Sequence, residues 1–168
     1  MGDGEKMMAR GWAWLDVGGG LLAAGHRPGS RLLGALERGG CTHVVTILSE
    51  REGALDLRGA CLEHHLGWIW IPLGSARPPG RKQTEEIRET FVRMRELLSS
   101  SGKLYVHCSG GIHRTGMIVH GFLRFMGFSP ADALAALGVL RKETAAGVKA
   151  GHLEWGNQFG PQLVAGSL

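Results

Sequence analysis

The chain has little of what would set it apart from an ordinary globular domain. Its three cysteines, Cys41, Cys61 and Cys108, are odd in number and widely spaced, which excludes a disulfide framework as the basis of the fold. No apolar run approaches the roughly 18 residues of a membrane span. Residues 1–10 lack the apolar core of a signal segment. A cytoplasmic protein with no membrane partner is therefore expected. There is no block of Lys and Arg; the net charge of +4 and pI of 9.3 suit an anionic substrate rather than a dedicated binder of nucleic-acid backbones. The pair His64-His65 has no third ligand at metal-site spacing, and neither a metal nor a cofactor is implied. The 28 glycines are scattered without a repeat period.

What is there suits one domain. The 168 residues are 43% hydrophobic and 20% charged, enough to bury a core without staples. Residues 1–10 read as a flexible tail and 11–168 as a single domain. Trp12 and Trp14, followed by "GGGLLAAG", suggest a hairpin or edge strand. Ser30 reads as the cap of a helix over about 31–38, ended by Gly39-Gly40. The β-branched run Thr42–Leu48 and the run Leu66–Leu73 predict buried strands, with Trp68 and Trp70 on one strand face. Thr84 is placed as the cap of a helix to Leu98. "KLYVH" at 103–107 predicts a strand, a helix follows from about Arg114 to Met126, Pro130 opens another, and a last one falls within 152–165. Strands and helices alternate, so the fold class is α/β: a central, mostly parallel sheet flanked by helices.

Between the strand ending at His107 and the helix starting near Arg114 lies His107-Cys108-Ser109-Gly110-Gly111-Ile112-His113-Arg114-Thr115-Gly116. Each position has a chemical reason. A thiol with an ordinary pKa of about 8.5 is mostly protonated at neutral pH, and a helix N-terminus favours its thiolate. The backbone N–H groups of Ser109, Gly110, Gly111, Ile112 and His113 can form an anion nest. Arg114, after five intervening residues, can return its planar fork to two phosphoryl oxygens. Thr115 can bring a hydroxyl to the sulfur, and His107 can order the loop. The candidate catalytic residues are thus Cys108, Arg114, Thr115 and His107. Cys41 and Cys61 read as small apolar fillers.

This run resembles the signature loop of the protein tyrosine and dual-specificity phosphatase superfamily. "LLAAGHRPGSRLLGALERGGCTHVVTIL", "ADALAALGVLRKE" and "NQFGPQL" resemble that superfamily's opening, the helix after its signature helix, and its final helix. The resemblance covers most of residues 18–164. It implies a phosphatase-like fold with the phosphate loop between a strand and a helix N-terminus, a phosphocysteine intermediate on Cys108 released by water, and a dual-specificity type of activity on a phosphorylated protein or a small polyanionic phosphate. A nucleic acid would enter only as a 5′-phosphate substrate.

One departure stands out. Family members commonly carry an Asp general acid in the loop after the second long strand, and "IPLGSARPPG" has no Asp or Glu. The leaving-group proton is left to Glu85, Glu86, His113 or Glu154, with no ground in the sequence for choosing. Branches of the superfamily without that Asp include RNA 5′-triphosphatase-like enzymes and inositol pyrophosphate phosphatases, and Arg77, Arg81 and Lys82 would suit a polyanion. Two other classes compete: a pseudophosphatase that binds phosphate without turnover, and a sulfur-transfer or arsenate-reducing enzyme.

Overall fold

Short apolar runs rich in β-branched residues build the frame. In a computed structural model, which describes residues 13–161, β1 (Leu15–Val17), β2 (Gly20–Gly25), β3 (His43–Ile47), β4 (Gly67–Ile71) and β5 (Lys103–His107) form one sheet in the order β1-β2-β5-β3-β4. β1 turns back on β2 as an antiparallel hairpin; β2, β5, β3 and β4 pair in parallel. β5, last in sequence, lies between β2 and β3.

Both faces of the sheet are buried, which is why its strands read as near-continuous apolar runs. Ala23, Val44 and Tyr105 point to one face. There they meet Leu32, Leu33 and Leu36 of α1 (Ser30–Arg38) and Leu57 and Cys61 of α2 (Ala54–Glu63). Leu22, Ala24, Val45, Ile47, Leu104 and Val106 point to the other, against α3 (Arg81–Ser99), α4 (His113–Phe125), α5 (Pro130–Leu140) and α7 (Ala150–Asn157). Phe91 of α3 lies edge-on to Phe122 of α4 at 5.4 Å and to Phe159 at 4.9 Å. No helix among the described residues is long and apolar enough to cross a membrane.

The expected fold class is present, and several local expectations are corrected. Gly29, not Ser30, caps α1, and Gly80, not Thr84, caps α3. Thr84 is buried in the first turn of α3, where its hydroxyl accepts the indole N–H of Trp155 at 3.2 Å. α2 and the short α6 (Lys142–Gly147) were not anticipated, nor was the 3₁₀ turn Glu50–Glu52. The last helix among the described residues runs from Ala150 to Asn157, starting two residues before the expected 152–165, and residues 158–160 after it form a turn. Trp12, residues 1–10 and residues 162–168 fall outside the described residues.

Candidate active site

Parallel pairing sends the C-terminal ends of β2, β5, β3 and β4 to one edge of the sheet, where ligands of open α/β folds bind. The loop 108–112 leaves β5 there and enters α4. A cavity of about 310 Å³ opens over it, lined by Gly74, Ser75, Ala76, Cys108, Ser109, Gly110, Ile112, His113 and Arg114.

Cys108 is 3% exposed, at the cavity floor. The N–H of Gly111 points at its Sγ from 3.2 Å. Burial raises the thiol, but the buried Thr115 hydroxyl and the N–H groups of Thr115, Gly111 and Ile112 outweigh burial and bring the thiol below its ordinary range. The loop's shape depends on Gly111, whose φ is +71°; a Cβ there would lie 2.2 Å from the carbonyl oxygen of Gly25.

For N–H groups to point inward, the loop's carbonyls must point outward and be satisfied there. Arg141 donates from Nη1 to the carbonyls of Gly110 (2.8 Å) and Gly111 (3.0 Å), and the buried hydroxyl of Thr144 donates to the latter at 2.5 Å. On the other side, Arg27 donates widely: its backbone N–H goes to Ser109 O at 3.2 Å and its guanidinium to the carbonyls of Glu52 and Gly53.

His107 sits beneath the loop, fully buried. Its Nδ1 donates to the carbonyl of Cys108 at 2.8 Å, so its Nε2 accepts from the Thr46 hydroxyl at 2.8 Å. Thr46 in turn accepts the indole N–H of Trp68 at 2.8 Å. Every group in this chain is satisfied by the neutral imidazole. Burial pushes the ring's pKa down to about 4.

Arg114 is fixed by a residue the sequence did not single out. Its Nη1 and Nη2 donate to Oε1 and Oε2 of Glu52 at 2.7 and 2.9 Å, and Nη1 also reaches Leu73 O at 2.8 Å. Glu52 is held in turn by the N–H and hydroxyl of Ser49. The Arg114 hydrogen bonds, with those from Ser49, overcome burial and bring the Glu52 carboxyl down to about 2. The signal in the sequence was a carboxylate directly after the C-terminal end of a parallel strand, in "SERE".

Of the four acid candidates, His113 lines the cavity. Glu85 is exposed and 3.8 Å from Arg88, Glu86 lines a separate cavity beside Trp70, and Glu154 is exposed on α7. Arg77 lines a neighbouring cavity of about 240 Å³ that shares Gly74 and Ser75 with the first, whereas Arg81 and Lys82 line neither. Cys41 and Cys61 are buried in the core, their thiols pushed up by burial to about 12 and about 11. His64 and His65 both bond Glu37, at 3.1 and 2.9 Å. No group of metal-ligating side chains occurs among the described residues. Trp68 and Trp70 stack at 5.7 Å on one face of the edge strand β4, half-buried against α1 and α2.

Residues 26–127 match the family described as Tc-R-P, "Polymorphic toxin system, DSP-PTPase phosphatase". Among solved structures, the chain is similar to kinase associated phosphatase (KAP) with its catalytic-site cysteine changed to serine, at 14% identity over 87% of this chain and 91% of that one, TM-score 0.65. It is similar to PTPMT1 at 17% identity over 82% and 88%, TM-score 0.68. It is also similar to TpbA of P. aeruginosa in complex with pTyr, at 16% identity over 82% and 83%, TM-score 0.54. No curated protein matches the chain in sequence.

Proposed function

The chain belongs to the DSP-PTPase phosphatase family, and on that premise we propose that it hydrolyses phosphate monoesters through a phosphocysteine intermediate on Cys108. The observation that carries this reading is the floor of the cavity: a thiol brought below its ordinary range by aimed N–H groups, with the Arg114 fork anchored beside it.

In the first step the thiolate of Cys108 attacks phosphorus, an S–P bond forms, and the bond to the leaving oxygen breaks with its electron pair on that oxygen. The inward N–H groups and Arg114 bind the equatorial phosphoryl oxygens as charge gathers on them. In the second step water attacks phosphorus and the S–P bond breaks. Sulfur leaves as thiolate, which the Thr115 hydroxyl and the loop N–H groups stabilise. His107 stays neutral and acts as a positioning residue, holding the carbonyl of Cys108 away from the anion.

The substrate in this reading is a phosphorylated protein side chain or a small polyanionic phosphate. PTPMT1 has been seen with PI(5)P and TpbA with pTyr, and Arg77 in the adjoining cavity would suit a second negative group. One observation favours a further class: the cavity lining includes no carboxylate, which suits phosphoanhydrides, whose leaving group needs little acid help. A catalytically silent phosphate binder has less support, because the lowered thiol is an asset for attack and not for binding.

The deciding experiment is metal-free hydrolysis of 4-nitrophenyl phosphate by wild type and by Cys108→Ser. Turnover that the serine variant loses, while keeping phosphate affinity, is expected. Substantial turnover by the variant would overturn the nucleophile assignment. No turnover by either protein would favour the binding-only reading.

A further inference from the structure

The site holds a nucleophile, an anion cradle and a clamp, but the leaving oxygen still lacks a proton source. We propose that His113, the first residue of α4, supplies that proton in place of a carboxylic acid; the proposal rests on the phosphatase reading and adds a catalytic residue to it.

Placement is the first argument. Cβ bonds of a helix tilt toward its N-terminus, so a side chain in the first turn of α4 leans over the anion loop that precedes it. His113 is exposed at the rim and lines the cavity. The other lining side chains cannot do this work near neutral pH. Arg114 does not release protons, Cys108 is the nucleophile, and Ser75 and Ser109 are alcohols. Imidazole is the side chain whose ordinary titration falls between pH 5 and 8.

The second argument is how the ring is framed. His152 of α7 lies with its ring centroid 6.3 Å from that of His113. The Nδ1 of His152 accepts the N–H of Lys149 at 3.2 Å, and the ring bonds the backbone of Ala76 in the cavity wall. Burial favours the neutral ring, whose Nδ1 accepts from Lys149, and outweighs the Ala76 bond, which favours the charged one. His152 therefore ties the loop after β4 to α7 and leaves proton transfer at the rim to His113. His152 of α7 faces His113, Cys108 and Arg114 share its cavity, and uncharged Gly147 at the end of α6 lies beside it. A Cβ on Gly147 would sit 3.8 Å from His113 Nε2.

The steps balance. As Cys108 attacks and the P–O bond breaks, the imidazolium of His113 gives its proton to the leaving oxygen and becomes neutral imidazole. As water attacks the phosphocysteine, that imidazole takes a proton from the water, and the acid form returns as the thiolate departs.

The test is kcat/KM for 4-nitrophenyl phosphate, phenyl phosphate and an alkyl phosphate, across pH, for wild type, His113→Ala and His113→Gln. General acid help is worth about 10²–10⁴-fold, and it counts most for poor leaving groups. Both variants should lose about 10²-fold or more on phenyl and alkyl phosphate. They should lose less than about tenfold on 4-nitrophenyl phosphate. The His113→Gln variant keeps a polar side chain of similar reach, so equal loss on all three substrates would mark a structural role and overturn the proposal. No loss on any of the three substrates would overturn it too, and would favour the phosphoanhydride substrates. Cys108-dependent hydrolysis of 4-nitrophenyl phosphate by wild type is read separately. Its absence is failure of the phosphatase reading; its presence with an unaltered leaving-group slope is failure of the His113 assignment alone.

Discussion

Glu52 receives both terminal nitrogens of Arg114, at 2.7 and 2.9 Å, and so sets the plane in which that guanidinium faces the Cys108 sulfur. The fork–fork pair spends one side of the guanidinium on the protein and leaves the rest for the phosphoryl group.

Glu52→Gln should lower kcat/KM for 4-nitrophenyl phosphate by about tenfold to a hundredfold, because misplacing a catalytic group by about 1 Å costs about 10²-fold. Arg114→Lys should cost more, about 10²–10³-fold, since a point charge cannot replace the bidentate fork. Steady-state kinetics on both variants checks the order; near-normal rates for Arg114→Lys would contradict the clamp.

Thiol reactivity should be confined to one residue. The Cys108 thiol stands below its ordinary range, whereas Cys41 and Cys61 are pushed up to about 12 and about 11. Brief iodoacetamide treatment near pH 6 should give a single adduct on Cys108 by mass spectrometry, and inorganic phosphate should slow it. Comparable labelling of Cys41 would refute this assignment of the charges.

Gly111→Ala tests the loop's geometry. The new methyl would meet the Gly25 carbonyl and the Arg141 guanidinium, at a φ of +71°. The expected outcome is a loss of about 10²-fold or more in kcat/KM, with vanadate affinity falling in parallel. Unchanged vanadate affinity would show that the N–H groups do not form the cradle.

Acid should destabilise the fold in two windows. His107, lowered from 6.5 to about 4, contributes stability that is present above pH 6.5 and lost as pH falls toward 4. Glu52, lowered from 4.5 to about 2, contributes stability that is present above pH 4.5 and lost as pH falls toward 2. Thermal unfolding against pH should flatten in the upper window for His107→Gln and in the lower one for Glu52→Gln.

The sheet and the loop were legible because their information is local. β5 was expected at 103–107 and lies there, since its apolar centre lies between Gly102 and the loop glycines Gly110 and Gly111. α2 was missed because Leu55 and Leu62 face solvent while Leu57 and Cys61 face the core, so its apolar residues show no stripe. α6 is a short piece ending at Gly147 and carries no long period. Glu52 could not be tied to Arg114 from sequence, because the two are 62 positions apart and meet only when β3 and β5 pair. The same holds for Arg141 and Thr144, whose bonds to the loop are backbone-directed and leave no motif.

Those two residues also set a timetable. When a ribosome has completed α4, every atom of the thiol, the cradle and the clamp has been made, yet nothing holds the carbonyls of Gly110 and Gly111 outward. Domains take shape from the N-terminus as synthesis proceeds, but here the last brace arrives with Arg141 and Thr144. A nascent chain thus carries the Cys108 sulfur before the loop around it is braced, and the brace comes only with the C-terminal segment.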